Sequence, residues 1–80
     1  MAKPDVSQIY GKIQYVNAFP DYTVEVVSVF PDLKVQKVTS FPNSPGKWQI
    51  VEALPDFKIQ KVSVFADFKI QYVTVFPGPA

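Results

Sequence analysis

The side chains of this 80-residue chain that could do chemistry are carboxylates, lysines and tyrosines, because it contains neither histidine nor cysteine. Catalysis near neutral pH needs a group that titrates in that range or an activated nucleophile. Structural zinc sites also depend on histidine and cysteine. The sequence has no glycine-rich phosphate loop and no nucleophile elbow. We therefore expect a protein that is not an enzyme and that has no catalytic residue, bound metal or cofactor.

Four aspartates recur in one setting, directly after a Phe-Pro, Leu-Pro or Phe-Ala pair: Asp21, Asp32, Asp56 and Asp67. In such a turn proline restricts φ and aspartate accepts hydrogen bonds from local amides. We expect these carboxylates to cap turns. Two of them within ~5–9 Å of each other would resemble the acid pair of a glycoside hydrolase, but nothing in the sequence favours that arrangement.

The lysines and tyrosines are the more distinctive surface residues. One set of lysines shares a single position of a repeat: Lys12, Lys34, Lys47, Lys58 and Lys69. We expect a solvated face there, because an aspartate two residues earlier offsets most of these charges. A second set shares another position and forms our tentative surface-binding site: Tyr15, Lys37, Lys61 and Tyr72. Such a rim could bind carbohydrate or peptide, or it could simply cover a seam between repeat units.

The formal net charge is +1 and arginine is absent, which makes no electrostatic case for a nucleic-acid partner. No apolar run approaches the ~20 residues of a transmembrane helix, so we expect no membrane span. The first residues lack the apolar core of a signal peptide, and a cytoplasmic or an exported location both stay open. With 48% apolar and 15% aromatic residues, the chain can form a packed core.

These candidate residues are positioned by a repeat of eleven residues, clearest in residues 56–66 and 67–77. Units begin near residues 10, 21, 32, 43, 56 and 67. The irregular unit contains Asn43-Ser44-Pro45-Gly46, which we expect to place two extra residues in a loop. We predict an N-terminal lead-in, residues 1–9, and a single repeat domain, residues 10–80. The lead-in ends in Val6-Ser7-Gln8-Ile9, which is predicted to be a strand.

Alignment of the units with one another separates apolar rows from polar rows. Two rows are apolar: Ile13, Val24, Val35, Trp48, Ile59 and Ile70 at position four, and Val16, Val27, Val38, Val51, Val62 and Val73 at position seven. We expect these rows, with positions two and nine, to form the core, and Trp48 to fill space within it. The step of three from position four to position seven requires a bulge or corner, because strand side chains alternate. Position three is mostly lysine and position five mostly glutamine, and we expect the glutamines to face water.

Valine, isoleucine, threonine and aromatic residues favour strands throughout, and a proline in nearly every unit excludes a continuous helix. The predicted class is all-β, a compact closed fold built from the eleven-residue repeats. Two architectures fit. One is a β-solenoid in which like residues stack, and the other is a compact meander or barrel with a hairpin turn at each Phe-Pro-Asp. A solenoid needs capping segments, and none is evident.

Four phrases of the sequence point to a known family: Val-Asn-Ala-Phe-Pro-Asp-Tyr, Phe-Pro-Asp-Leu-Lys-Val-Gln-Lys-Val, Pro-Gly-Lys-Trp-Gln-Ile-Val-Glu and Phe-Ala-Asp-Phe-Lys-Ile-Gln-Tyr-Val. From about Val6 to Gly78 the chain resembles small bacterial proteins described as septoil knot domains. The resemblance implies an all-β, closed domain whose backbone forms a 7(1) torus knot, with seven crossings. It implies no biochemical activity.

Near-identical units can form such a knot by winding twice around one axis, so that each unit lies against a unit remote in sequence. The repeat units, with Val6-Ser7-Gln8-Ile9, would supply seven strand-bearing pieces. This winding predicts high contact order, slow folding and high stability, and a closed ring without free strand edges favours a monomer. We predict a non-enzymatic structural or binding domain. The alternative is an exported module that binds cell-envelope carbohydrate or a protein.

Overall fold

The computed structural model describes residues 4–80 and contains a short 3-10 helix, Val6–Gln8, followed by seven strands. No helix in this part of the chain is long and apolar enough to cross a membrane. The first six strands occupy positions two to six of their repeat units, except that one begins at position three. The strands are β1 (Gly11–Tyr15), β2 (Tyr22–Val26), β3 (Leu33–Lys37), β4 (Lys47–Ile50), β5 (Phe57–Lys61), β6 (Phe68–Tyr72) and β7 (Gly78–Pro79).

The first six strands form a closed, entirely parallel barrel. Their order is β4-β1-β5-β2-β6-β3, and pairing of β3 with β4 closes the ring. β7 pairs antiparallel with the beginning of β3. Closure leaves none of the six barrel strands at an edge of the sheet. The predicted closed, all-β fold is confirmed, and the barrel replaces the solenoid alternative. The predicted hairpin turns at Phe-Pro-Asp are wrong, because neighbouring barrel strands are parallel.

The chain passes around this barrel twice. β1, β2 and β3 take alternate places on the first circuit, and β4, β5 and β6 fill the places between them on the second. β5 and β6 belong to the two most similar units, yet β2 lies between them and pairs with both. β3 and β4 are the consecutive strands that do pair, where the connection is longer. The prediction that each unit lies against a unit remote in sequence is confirmed.

Short connections make this winding possible. Between β1 and β2, for example, the connection is residues 16–21. Tyr15 at the end of β1 and Tyr22 at the start of β2 both pair with Ile59 of β5. The two tyrosines therefore flank one strand and lie about 10 Å apart, from ~4.8 Å between strands. The connection crosses this short distance, and a hydrogen bond from the N–H of Asp21 to the carbonyl oxygen of Lys58 holds its end against the strand that it passes.

Positions two and four point into the barrel, as predicted. Trp48 is fully buried, and its Nε1 donates a hydrogen bond to the carbonyl oxygen of Ile9 over 2.9 Å. Its register partner on β1 is Gly11, where a Cβ would overlap the carboxylate of Asp56. The prediction that Trp48 fills the core is confirmed. The buried cluster consists of Ile9, Ile13, Val24, Leu33, Val35, Trp48, Ile59, Phe68 and Ile70.

Two predicted core rows are wrong. The valines of position seven are only half-buried and lie outside the buried cluster, and the valines of position nine are exposed. The physical reason is the predicted corner. Each barrel strand ends at position six, and the next residues leave the barrel wall as a connection.

The predicted strand at Val6-Ser7-Gln8-Ile9 is also wrong. The segment forms a 3-10 helix, and the carboxylate of Asp5 accepts a hydrogen bond from the N–H of Ser7 at its start. Ile9 then enters the core. The seventh strand is β7 at the other end of the chain.

The longer connection, residues 38–46, contains the predicted extra loop. Gly46 ends it with a φ of +85°, in the left-handed region that favours glycine. A Cβ there would overlap the backbone of Gly78 and Lys34. Glycine is therefore required where β3, β4 and β7 meet.

Position ten is unusual in every unit because a bulky residue there is both left-handed and exposed. The φ angles lie between 53° and 56°, and the exposed fractions lie between 80% and 99%. Bulky L-residues rarely adopt this conformation, because Cβ approaches a carbonyl oxygen. Phe65 adopts it although Ala66 follows instead of proline, so the winding imposes the conformation. The residues are Phe19, Phe30, Phe41, Leu54, Phe65 and Phe76.

Candidate binding site at the barrel mouth

The side chains of position six surround the end of the barrel at which the strands finish. They point inward for the same reason as positions two and four, because strand side chains alternate. Strands three places apart face each other, so the tyrosines are opposite each other, as are the lysines and the two aliphatic residues. We call this ring the mouth; in strand order it consists of Ile50, Tyr15, Lys61, Val26, Tyr72 and Lys37.

Tyr15 and Tyr72 meet across the centre of the mouth. Their hydroxyl oxygens are 2.6 Å apart, so one hydroxyl donates a hydrogen bond to the other. Burial of the Tyr15 hydroxyl, together with its hydrogen bond to Tyr72, raises the pKa of Tyr15 above its ordinary value. The Tyr15 hydroxyl therefore stays neutral at physiological pH.

Lys61 and Lys37 lie on the tyrosine rings from opposite sides of the mouth. The Nζ of Lys61 is 4.7 Å from the centroid of the Tyr15 ring, and the Nζ of Lys37 is 4.4 Å from that of Tyr72. These are cation–π distances. Both lysines are exposed, and neither forms an ion pair within residues 4–80. Each ammonium is thus held in place by a ring while its N–H groups stay accessible to solvent.

The structure therefore brings together all four residues of the site that the sequence indicated. Their shared repeat position was the signal in the sequence. Residues at the same repeat position on different barrel strands lie at the same height along the barrel axis. The sequence did not reveal that Val26 and Ile50 complete the ring or that the two hydroxyls touch. That these residues bind a ligand stays a prediction.

Two open grooves border the mouth. One has a volume of about 370 Å³ and is lined by Gln36, Lys37, Tyr72, Val73 and Thr74. The other has a volume of about 750 Å³ and is lined by Glu25, Val26, Lys61, Val62, Ser63 and Val64. Each of the two lysines thus borders both the mouth and a groove.

The repeat aspartates do not cap local turns as predicted but bind strands remote in sequence. The N–H of Asp56 donates to the carbonyl oxygen of Lys12 over 2.7 Å, and its Oδ2 accepts from the N–H of Lys12 over 2.9 Å. Each partner lies on the strand that the preceding connection passes. The same two bonds join Asp21 with Lys58, Asp32 with Lys69, and Asp67 with Thr23.

Three glutamines of position five also bind connections and do not simply face water as predicted. Their Nε2 groups donate to backbone carbonyl oxygens at position eight of a remote unit. The pairs are Gln14 with Glu52 at 2.9 Å, Gln36 with Thr74 at 3.0 Å and Gln71 with Ser28 at 3.1 Å. The recurrence of glutamine at position five was the signal in the sequence for this role, because its side-chain amide can donate hydrogen bonds.

Glu25 occupies position five on β2, where its carboxylate lacks the N–H donors of a glutamine amide. The larger groove lies beside it. The lysines of position three are mostly exposed on the outside of the barrel, as expected for a solvated face. Within residues 4–80, no group of carboxylates is arranged to hold a metal ion.

The repeat and the double circuit agree with the family comparison. The model of the 7(1) septoil knot domain matches residues 6–80. The chain belongs to the septoil knot domain family. In this septoil knot domain, the two circuits correspond to the double winding of a torus knot, and aspartates and glutamines bind connections where they pass over strands. Comparison with curated proteins finds no match.

Proposed function

We propose that this septoil knot domain is a non-enzymatic binding module and that its ligand, a carbohydrate or a protein of the cell envelope, occupies the mouth. The observation that supports the proposal is the convergence of Tyr15, Tyr72, Lys37 and Lys61 at one end of a closed barrel. The mouths of β-barrels are frequent ligand sites. An envelope ligand would place the domain outside the cytoplasm.

The two ends of the barrel differ in a way that favours the mouth. At the end where the strands begin, the buried side chain of Ile9 follows the 3-10 helix, and the Trp48 indole binds the Ile9 carbonyl. At the mouth, the lysines are exposed and the tyrosines only half-buried. Polar groups that can bind a ligand are therefore accessible at this end.

The absence of catalysis is part of the proposal, and the state of the titratable groups supports it. The repeat aspartates accept hydrogen bonds from backbone amides and so hold connections in place. The pKa of Tyr15 is raised by burial and by its hydrogen bond to Tyr72, so its hydroxyl is a poor base or nucleophile at neutral pH.

A glycan array and cell-envelope extracts, probed with the purified domain, would test the proposal. We expect Tyr15→Ala/Tyr72→Ala to reduce the signal of the wild type roughly tenfold, because it removes both hydroxyls and both cation–π platforms. Tyr15→Phe/Tyr72→Phe keeps the rings and removes only the hydroxyls, so it controls for loss of packing. Tyr10→Phe, which loses a hydroxyl outside the mouth, should bind like the wild type. Equally weak signals from all four proteins would contradict the proposal.

A structural or protein-docking role is the second candidate, and the exposed residues of position ten favour it. Large exposed apolar areas on soluble domains frequently mark interaction surfaces. Phe65 is 99% exposed and contributes nothing to the core. Phe65→Ser would leave binding at the mouth unchanged and would weaken a partner that docks on the connections.

A further inference from the structure

We infer that the ligand of the mouth is an acidic polysaccharide whose carboxylates bind Lys37 and Lys61. The inference rests on the proposed binding role of the mouth and adds the chemical class of the ligand. It is supported by the charge of the ring, the separation of the two lysines and the closure of the barrel.

The charge of the mouth is positive and uncompensated within the ring. Its six residues include two lysines and no carboxylate. Neither lysine forms an ion pair in the part of the chain that the structure describes. Glu25 lines the groove next to Lys61, but it belongs to the outward-facing position five. An anionic group at the mouth would gain charge-assisted hydrogen bonds from these ammonium groups.

The separation of the lysines favours an extended ligand with more than one anionic group. β5 and β3 are opposite strands of the ring. The register shifts by two residues at each strand pair, which tilts the strands by ~55°, so the six-stranded barrel with ~4.8 Å between strands is about 16 Å across at the backbone. The Tyr15–Tyr72 hydroxyl pair lies between the lysines. A chain laid across the mouth can therefore place an acidic group at each lysine and a hydroxyl group over the tyrosine pair.

The closed barrel favours a polysaccharide over an acidic peptide. Extended peptides are commonly recognised by pairing of their backbone with a free strand edge. The six barrel strands pair with each other around the ring and offer no such edge. Recognition at the mouth must therefore use side-chain hydroxyl and ammonium groups, which match the hydroxyls and carboxylates of an acidic sugar chain.

Titration calorimetry with a matched pair of ligands would test the inference. The probes are oligogalacturonides and the same oligosaccharides after methyl esterification, which removes the charge but keeps the chain. We expect the acidic form to bind, the ester to bind at least about tenfold more weakly, and added salt to weaken the acidic form. Lys37→Gln/Lys61→Gln should weaken binding of the acid by roughly tenfold or more. Lys12→Gln/Lys69→Gln makes the same charge change outside the mouth and should have little effect.

Three results would overturn the inference, and they separate it from the proposed function. Equal binding of acid and ester, lost in Tyr15→Phe/Tyr72→Phe, would leave the mouth as a carbohydrate site but exclude an anionic ligand. If Lys37→Gln/Lys61→Gln and Lys12→Gln/Lys69→Gln weakened binding of the acid equally, the attraction between ligand and protein would not be specific to the mouth. Preferential binding of poly-glutamate, lost in Lys37→Gln/Lys61→Gln, would assign the mouth to acidic peptides. If none of these probes bound, the inference would fail, whereas the proposed function would still be decided by the glycan array and the envelope extracts.

Discussion

The strands and the connections of this domain are equally regular in sequence but opposite in their physical state. In one unit, Ile59 lies on β5 and is fully buried, whereas Phe65 in the following connection is 99% exposed with a φ of 56°. Both belong to rows that are apolar in every unit. A recurring apolar residue therefore indicates burial in the strands of this protein, but not in its connections.

The barrel strands form an inner layer and the connections an outer layer, and different interactions stabilise the two layers. The strands gain from burial of apolar surface inside a closed ring. The connections include a left-handed bulky residue, which costs roughly 1–2 kcal/mol at each such site. Such strain persists only where the surrounding structure determines the conformation. Here the determinants are hydrogen bonds from remote strands, such as those of Asp56 with Lys12 and of Gln14 with Glu52.

Among substitutions that contrast the strands with the connections, we expect Trp48→Ala to change stability most. Truncation should lower the free energy of unfolding by about 3–5 kcal/mol, because it creates a cavity in the core. It also leaves the buried carbonyl of Ile9 without the indole donor. Urea unfolding, followed until the signal is constant because the double winding predicts slow kinetics, provides the measurement.

Phe65→Ala is the matched control for Trp48→Ala, because it truncates an aromatic side chain in the outer layer. We expect it to change the free energy of unfolding by no more than ~0.5 kcal/mol. Comparable losses in both variants would show that position ten contributes to stability as the core does. A reversible unfolding transition completed within seconds would contradict the slow kinetics expected of the knotted winding.

Phe65→Gly is expected to have a smaller effect, and it should raise stability relative to Phe65→Ala instead of lowering it. Glycine adopts the left-handed conformation without a Cβ penalty, but it also gains more freedom in the unfolded chain. We expect the glycine variant to be more stable than Phe65→Ala by about 0.5–1 kcal/mol in thermal or urea unfolding.

Val64→Gly is the control for this substitution, since Val64 is exposed but has no left-handed φ. It should lower stability by roughly 0.5–1 kcal/mol, because glycine is unfavourable at ordinary φ values. If both glycine variants lost stability equally, the left-handed conformation at position ten would not be strained.

The smallest expected effect concerns the hydrogen bonds between the two layers. Glu25→Gln introduces the amide that Gln14, Gln36 and Gln71 use, with the carbonyl of Ser63 as its expected acceptor. We predict a gain of about 0.5–1 kcal/mol, or a few degrees in Tm for a domain of this size. Differential scanning calorimetry would measure it.

Gln71→Glu is the reciprocal change, because it removes a donor that binds the carbonyl of Ser28. It should lower Tm by a similar amount. An unchanged Tm in Gln71→Glu would show that these hydrogen bonds position the connections without stabilising them.

Much of the local structure was predictable from the sequence. The all-β class and the buried row at position four follow from side-chain periodicity, and Trp48 follows from its place in that row. Periodicity also predicted a corner around positions five and six, and the structure places it just after position six. The four residues at the mouth were predictable as a set because they share one repeat position. Their chemistry was not, since the hydroxyl contact between Tyr15 and Tyr72 depends on which strands are opposite.

The errors share a physical cause. The predictions for Asp21, Asp32, Asp56 and Asp67, and for the glutamines, assumed local hydrogen bonds or solvent. Their partners lie far away in the sequence, at separations of 37 residues for Asp21 and Lys58 and 44 residues for Asp56 and Lys12. A pattern within one unit contains no information about such partners. The prediction that positions seven and nine are buried failed for a similar reason. Their burial depends on where the chain goes after it leaves the barrel wall.

By itself, the sequence determined that this protein is built from short strands with one apolar face and that each unit turns at a fixed place. The tertiary structure decided which units are neighbours. The units are nearly alike, so every strand offers almost the same pairing surface and local preference cannot choose among partners. The choice comes from closure of the ring by two interleaved circuits, in which short connections must pass outside one strand to reach the next free place. That choice brings Tyr15, Tyr72, Lys37 and Lys61 into a single mouth.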